Sequence, residues 1–443
     1  MLDIRFIRDN ADRVQESAAH KGYTVDIKKL LELDDRRREL MARVDELRAR
    51  RNENSAHMKA GGKPDQAVID EGKQIKGELV SEESRLSEVD VEYIDLLKKV
   101  PNMPHADVPV GKSENENVEV KVVGGKPTFD FTPKNHYEIA EAKGWLDKER
   151  AAKVAGARFA YVMGDLVLLQ QAVIQWVMNT LTNEVKLTEV IKANGLNVSP
   201  RPFVPVLPPL MIRTEPYDQM DRLQPSDDRY KIEGEELWLQ GSAEHVLGSM
   251  HAGEIFDAER LPLRYLGFAT SFRKEAGTYG KDMEGLIRMH QFDKLEMESF
   301  TTAETSYDEH LFFIAIQEYL LQELKLPYHV LMKCTADIGK PNARGVDMEA
   351  WLPGQGKYRE THTADYMTDY QARRLNTRVR KLAPLGMAPV GQNMYLELVH
   401  TNDATAFALG RCLVAIIENY QTSDGNVTIP DVLRPFMGNR TTI

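Results

Sequence analysis

The sequence predicts an α+β protein in two parts, an antiparallel helical hairpin followed by a domain on an antiparallel sheet. Apolar residues recur at heptad spacing from about residue 30 to 54 and again up to Val100, on either side of a Gly61-Gly62 break. A stretch rich in Pro, Gly and Asn follows (PNMPHADVPVGKSENENVEV) and reads as a linker, since it cannot continue a helix. Beyond it, apolar helices such as LVLLQQAVIQWVMNTL mix with strand-like pieces (FVPVLPPLMI, LPLRYLGFATSF, LIRMHQFDKLEM, VDMEAWLP). Their irregular order lacks the βαβ alternation of a parallel sheet. The boundary is expected near residue 110, giving parts 1–110 and 111–443, with the hairpin over about 30–100.

In the hairpin, Leu33, Leu40, Val44 and Leu47 mark the first helix. Leu79, Leu86, Tyr93 and Val100 recur at sevens in the second, with Ile75, Val89 and Leu96 on the neighbouring position. Such a pattern predicts packing along an a/d seam. Gly72 and Gly77 weaken the distal part of the second helix, each by ~1 kcal/mol relative to Ala. From Arg48 to Lys63 there are five bases (Arg48, Arg50, Arg51, Lys59, Lys63) against one acid, Glu53, whereas Gln66–Val100 carries nine acids and five bases. This asymmetry fits either a solvated coiled-coil surface or an arm whose first helix and tip grip RNA phosphates.

A chain of 443 residues has room for two or three domains. The net charge of −11 argues against indiscriminate nucleic-acid binding, DNA included, but leaves a local RNA contact open. No window approaches the ~18 apolar residues of a membrane span, and MLDIRFIRDNADRV has no apolar signal core. Cys334 and Cys412 cannot form a disulfide framework or a cysteine-rich zinc site. These features predict a soluble protein of the reducing cytoplasm.

Residues 272–296, FRKEAGTYGKDMEGLIRMHQFDKLE, are the most informative stretch. They read as two β-segments joined by a loop carrying Gly277, Gly280 and Gly285. Alternation puts Arg288, His290, Phe292, Lys294 and Glu296 on one face, and Ile287, Met289, Leu295 and Met297 on the other. At ~3.3 Å per strand residue, Arg288 and Phe292 would lie about 13 Å apart. That face suits an extended ligand with an anionic end, a flat ring and a polar tail, such as ATP beside a small amino acid. A charged strand face in water is the simpler alternative.

The FRKE head and its glycine loop resemble motif 2 of class II aminoacyl-tRNA synthetases, and the string through GLIRMHQFDKLE resembles the bacterial type of seryl-tRNA synthetase. TAFALGRCLVAIIENYQ resembles motif 3, with Leu413, Ile416, Ile417 and Tyr420 as the buried stripe of its helix. Pro209 falls where motif 1 carries its dimer-interface proline, and PNMPHADVPVGKSENEN is similar to the hinge after the arm. The resemblance implies serine–tRNA ligation in a homodimer, with ATP, L-serine, serine tRNA and Mg²⁺ as partners and no zinc. Selenocysteine tRNA is left open as a second acceptor.

Residue by residue, the resemblance implies that Arg273 holds the α-phosphate and the serine carboxylate, with Arg411 as the second catalytic arginine. Glu275 would accept from the adenine amino group while Phe292 and Arg411 sandwich the purine. Arg288 would reach the terminal phosphates, and Lys274, Met289, Thr361 and His362 would complete the ATP site. Glu360 and Thr363 would bind Mg²⁺. Glu296 and Thr405 would form the serine side-chain site, and Ser242, Ala243 and Glu244, in a loop similar to the family's TAE loop, would hold the amine. Ser242 stands where Thr is usual, Thr363 replaces Ser, and Asp403 stands where a neutral amide is common. Asp403 adds negative charge unless it turns away or finds a cationic partner. Ligation to a carrier protein and a non-catalytic RNA-binding relative are rival readings; the arm argues against the first, and retention of Arg273, Glu275 and Arg411 against the second.

Overall fold

The computed structural model describes residues 1–59, 65–275, 285–382 and 394–443. Gly61, Gly62, Lys63, Gly277 and Gly280 lie outside the described residues. The chain divides into two compact units, Met1–Met103 and Pro104–Ile443.

In the first unit, two short helices lead into a hairpin of α1 (Ile27–Lys59) and α2 (Gln66–Lys99). Leu30, Leu33, Val44 and Leu47 are buried on α1, and Ile75, Leu79, Val89, Tyr93 and Leu97 on α2. Leu40, Leu86 and Leu96 are half-buried. The substitution of Leu97 for the expected Leu96 has a simple cause. An α-helix falls ~20° short of two turns per heptad, so over three heptads the inward position moves on by about one residue. Two polar residues are buried as well. Asp34 lies between the guanidinium groups of Arg8 and Arg38, at 2.7 and 2.8 Å. Asn54 donates from Nδ2 to the Val68 carbonyl at 3.0 Å, and Gly72 passes so close that a Cβ there would stand 2.8 Å from Asn54 Oδ1. Gly72 is thus a contact point of the two helices, whereas Gly77 faces open space.

The main sheet of the second unit has eight strands among the described residues: β1 (Val118–Val123), β2 (Val204–Val206), β3 (Leu263–Phe272), β4 (Gln291–Thr301), β5 (Tyr328–Met332), β6 (Arg344–Leu352), β7 (Lys357–Thr368) and β8 (His400–Ala408). Their order is β1-β5-β6-β7-β8-β4-β3-β2. Every pairing is antiparallel except that of β2 with β3. One face carries Leu295, Met297, Val346, Met348, Ala364 and Ala404, which pack into the main apolar core. Helices α3 (Asp165–Leu181), α5 (Ser306–Glu323) and α6 (Leu409–Asn419) supply the other side of that core. In α6, Leu413, Ile416 and Ile417 are buried, and Tyr420 closes the helix with its hydroxyl on the Leu324 carbonyl at 2.7 Å.

The opposite face is polar, and the site lies there. Alternation along β4 turns Leu295 and Met297 inward and leaves Lys294, Glu296 and Glu298 on the polar face. A short helix, α4 (Glu244–Ser249), follows Ser242 and Ala243 and packs against this end of the sheet.

Candidate active site

The strand expected from Leu286 onward begins only at Gln291. Gly285 has a φ of 69° and passes His136 so closely that any Cβ would overlap the ring, while Leu286 N–H donates to His136 Nε2 at 3.3 Å. His136 thus holds Leu286, and the Arg158 carbonyl accepts from His290 N–H at 3.1 Å; residues 286–290 run in turns and bends between them, and the 13 Å spacing drawn for an extended strand does not apply. The other side of the loop departs in the same way. β3 ends at Phe272, and Arg273 adds one rung through its N–H to the His290 carbonyl at 3.0 Å. Glu275 then enters the left-handed region at φ 51°. Arg273 and Glu275 do not share a strand face; the turn brings both onto one cavity instead.

That cavity, of about 110 Å³, is lined by Arg273, Glu275, Arg288, Phe292 and Arg411, with Met289 beside them. It shares Arg288, Glu360, Thr361 and Arg411 with a larger cleft of about 580 Å³, which also takes in Lys333 and Asp347. Arg273 lies over the Phe292 ring at 5.4 Å and donates from Nε to the Gly241 carbonyl at 3.0 Å. Glu275 accepts from Arg288 Nε at 2.5 Å, and Arg411 pairs with Glu360 at 2.9 Å. Enclosure alone would raise the Glu360 pKa, but Arg411 and Lys333 outweigh it and lower it to about 2. Burial pushes Asp347 up to about 7, against the pull of Lys333 3.6 Å away and helped by Glu360. Lys274 is exposed and its ammonium sits over Tyr230. Thr361 and Thr363 line the cavity, whereas His362 turns to the core against Phe407, where burial lowers its pKa to about 3.

Deeper on the same face lies an acidic pocket. Ser242 Oγ donates to Glu296 Oε2 at 3.1 Å and accepts from Lys294 Nζ at 3.3 Å, and Lys294 pairs with Glu296. Glu244 pairs with Arg222 Nε at 2.8 Å, and Arg222 also reaches Asp403 at 3.2 Å. Asp403 has therefore found a cationic partner. Thr405 stands opposite Glu296 in the β8–β4 register, and Asp403 opposite Glu298. Ala243 faces away, into an apolar cluster with Leu247 and Phe256. Burial raises Glu296 to about 7, with Lys294 opposing and Glu244 adding. Burial, then the neighbouring carboxylates, raise Glu298 and Asp403 well above the usual range.

Sequence reasoning assigned no role to Arg222, Lys294, Glu298, Lys333 or Asp347. Lys294 and Glu298 carried a signal, since they flank Glu296 at two-residue spacing on one strand face. Arg222 follows a six-residue helix in an aperiodic segment, where no pattern points inward.

The hairpin places Arg48 and Arg50 against acids of α2, with Arg48–Glu83 at 2.8 Å and Arg50–Glu71 at 3.6 Å. Arg43–Glu78 and Arg37–Asp90 continue the ladder. Arg51 and Lys59 are exposed and make no ion pair among the described residues.

An antiparallel sheet whose β3–β4 pair carries Arg273 and Phe292, an Arg–Glu pair entering α6 and a preceding helical hairpin define a class II aminoacyl-tRNA synthetase. Residues 229–420 match the "tRNA synthetase class II core domain (G, H, P, S and T)". Residues 1–104 match the "Seryl-tRNA synthetase N-terminal domain". The chain is 39% identical to a serine–tRNA ligase of Thermodesulfovibrio yellowstonii, covering 99% of each, and 40% identical to one of Geotalea uraniireducens, again covering 99% of each. A seryl-tRNA synthetase of Pyrococcus horikoshii, solved with ATP, superposes with a TM-score of 0.85 at 34% identity over 100% of this chain and 99% of that one. The chain belongs to the seryl-tRNA synthetase family.

Proposed function

We propose that the protein activates L-serine with ATP to seryl-adenylate and transfers the seryl group to the 3′ end of serine tRNA. The observation that carries this reading is the continuity of the two subsites. Strand β4 holds Phe292 in the nucleotide cavity and Glu296 in the acidic pocket, with Lys294 between them. Arg273, at their junction, would hold the serine carboxylate against the α-phosphate as the carboxylate attacks and pyrophosphate leaves. Alignment of this kind contributes ~7–11 kcal/mol to a bimolecular step.

The ligand-binding groups satisfy one another, Glu275 with Arg288 and Glu360 with Arg411. ATP would exchange these pairs for its own contacts, Glu275 taking the adenine amino group and Arg288 the terminal phosphates. Glu360 and Thr363 fit Mg²⁺, because both offer hard oxygen donors and the Glu360 side chain is 45% exposed to the cleft. When bound, the ion neutralises phosphate charge. In the acidic pocket, Glu244 and Glu296 would take the serine ammonium, and Glu296 with Thr405 the hydroxyl. Such a polar pocket rejects an analogue lacking the hydroxyl by up to ~10⁴-fold.

Exposed Val204, Leu207, Leu210 and Met211 surround Pro209 and support a homodimer through this segment. The hairpin would grip tRNA, with selenocysteine tRNA as a second acceptor to assay. No helix among the described residues is long and apolar enough to cross a membrane, in keeping with work in the cytoplasm. ATP–pyrophosphate exchange should depend on serine when serine, threonine, alanine and glycine are compared side by side. Exchange with another of them and not with serine would overturn this reading.

A further inference from the structure

The acidic pocket holds more carboxyl groups than serine can answer. Ligand atoms of Glu244, Glu296 and Asp403 all lie within 4.8 Å of one another. Glu298 joins them as the cross-strand neighbour of Asp403, two residues from Glu296 on the same strand face. Among the described residues, two cations, Arg222 and Lys294, stand against these four carboxyl groups. His245, 3.4 Å from Glu244, adds none, because burial lowers its pKa to about 4. Asp365, 4.0 Å from Arg222, adds to the acid side and is answered in part by Lys333.

Second, the acids are underused. Among the described residues, both oxygens of Glu298, Oδ1 of Asp403 and Oε1 of Glu296 are buried without a hydrogen-bond partner, and these three residues are 0%, 1% and 0% exposed. Unpartnered carboxyl oxygens at this depth are costly unless something positive or protic meets them. The α-ammonium of an amino acid supplies one charge. A second ammonium on a short side chain would draw Glu298 and Asp403 into their ionised form and bring the four acids to balance.

We propose that the pocket also activates an amino acid bearing a side-chain ammonium, of the 2,3-diaminopropionate class, with Glu298 and Asp403 as its specificity-determining residues. This rests on the adenylation reading above. L-2,3-diaminopropionate has the heavy-atom count of serine, with an ammonium where serine has its hydroxyl, so it needs no more room. Its carboxylate oxygen attacks the α-phosphorus, forming the acyl–phosphate bond. The bond from that phosphorus to the bridging oxygen breaks, and its electron pair leaves with pyrophosphate. Both ammonium groups keep their protons in this step.

The test is ATP–pyrophosphate exchange by the full chain with serine, L-2,3-diaminopropionate and alanine. Diaminopropionate should support exchange with kcat/KM within about tenfold of serine, and alanine should not. In Glu298→Gln the ratio of diaminopropionate to serine kcat/KM should fall by about tenfold or more, mainly through KM, since an amide leaves the second ammonium unbalanced. Competition between diaminopropionate and serine in the wild-type protein gives a second reading independent of the variant's folding. Normal exchange with serine, but neither exchange nor competition with diaminopropionate, overturns the inference and leaves the adenylation reading intact. Stabilisation by Zn²⁺ alone that Glu298→Gln abolishes, with no response to diaminopropionate, overturns it in favour of a metal. Failure of every amino acid, serine included, overturns the adenylation reading itself.

Discussion

At the scale of single residues, two arginines divide the labour of the second unit. Arg411 is held by Glu360 at the mouth of the cleft, where its guanidinium would close over the purine opposite Phe292. Arg411→Gln should lower kcat/KM in serine-dependent exchange by about 10²–10³-fold, the usual loss when a preorganised charge contact is removed. Arg222 is the internal counterion of Glu244 and Asp403. Arg222→Met leaves buried carboxylates unanswered and should cost about 3 kcal/mol in urea unfolding. Adding Asp403→Asn should recover part of that loss, and no recovery would show that Arg222 acts elsewhere. His362 gives a pH signature. Its folded pKa, about 3, lies below its unfolded value near 6.5, so its contribution is complete above pH 6.5 and is lost as pH falls toward 3. Relative to His362→Gln, the wild type should lose roughly 1 kcal/mol per pH unit below about pH 6.

At the scale of elements, the two hairpin glycines make a contrast. Gly77→Ala adds a methyl in open space and should stabilise α2 by ~1 kcal/mol. Gly72→Ala offers the same propensity gain but drives a methyl into Asn54 Oδ1, so its gain should be smaller or reversed. Hydrogen exchange over residues 66–80 measures both. These elements also show what the sequence could carry. Period-two alternation in β4 was enough to place Lys294 and Glu296 on one face and Leu295 and Met297 on the other. Heptads located the hairpin but missed Leu97, because the drift of a straight helix accumulates with length. The turns over 286–290 were not legible, since His136, which holds their first residue, Leu286, lies 150 residues away in sequence. Arg222 was hidden for a related reason: its role exists only once β8 and α4 have converged on it.

At the scale of the whole molecule, the two units should separate by function. Replacing residues 30–100 with a short linker should leave serine-dependent exchange largely intact and abolish transfer to tRNA; unchanged aminoacylation would assign the hairpin another purpose. The ion-pair ladder along the hairpin sets how such a grip would respond to salt. Arg48 and Arg50 already have carboxylate partners on α2. An RNA phosphate reaching them would displace Glu83 or Glu71, trading one ion pair for another and releasing little net counterion. Full counterion release costs close to one power of salt concentration per phosphate neutralised. Within the basic run that begins at Arg48, Arg51 and Lys59 are the described residues that would supply most of that dependence. The hairpin would hold RNA by barter, with an affinity less sensitive to ionic strength than its count of basic residues suggests.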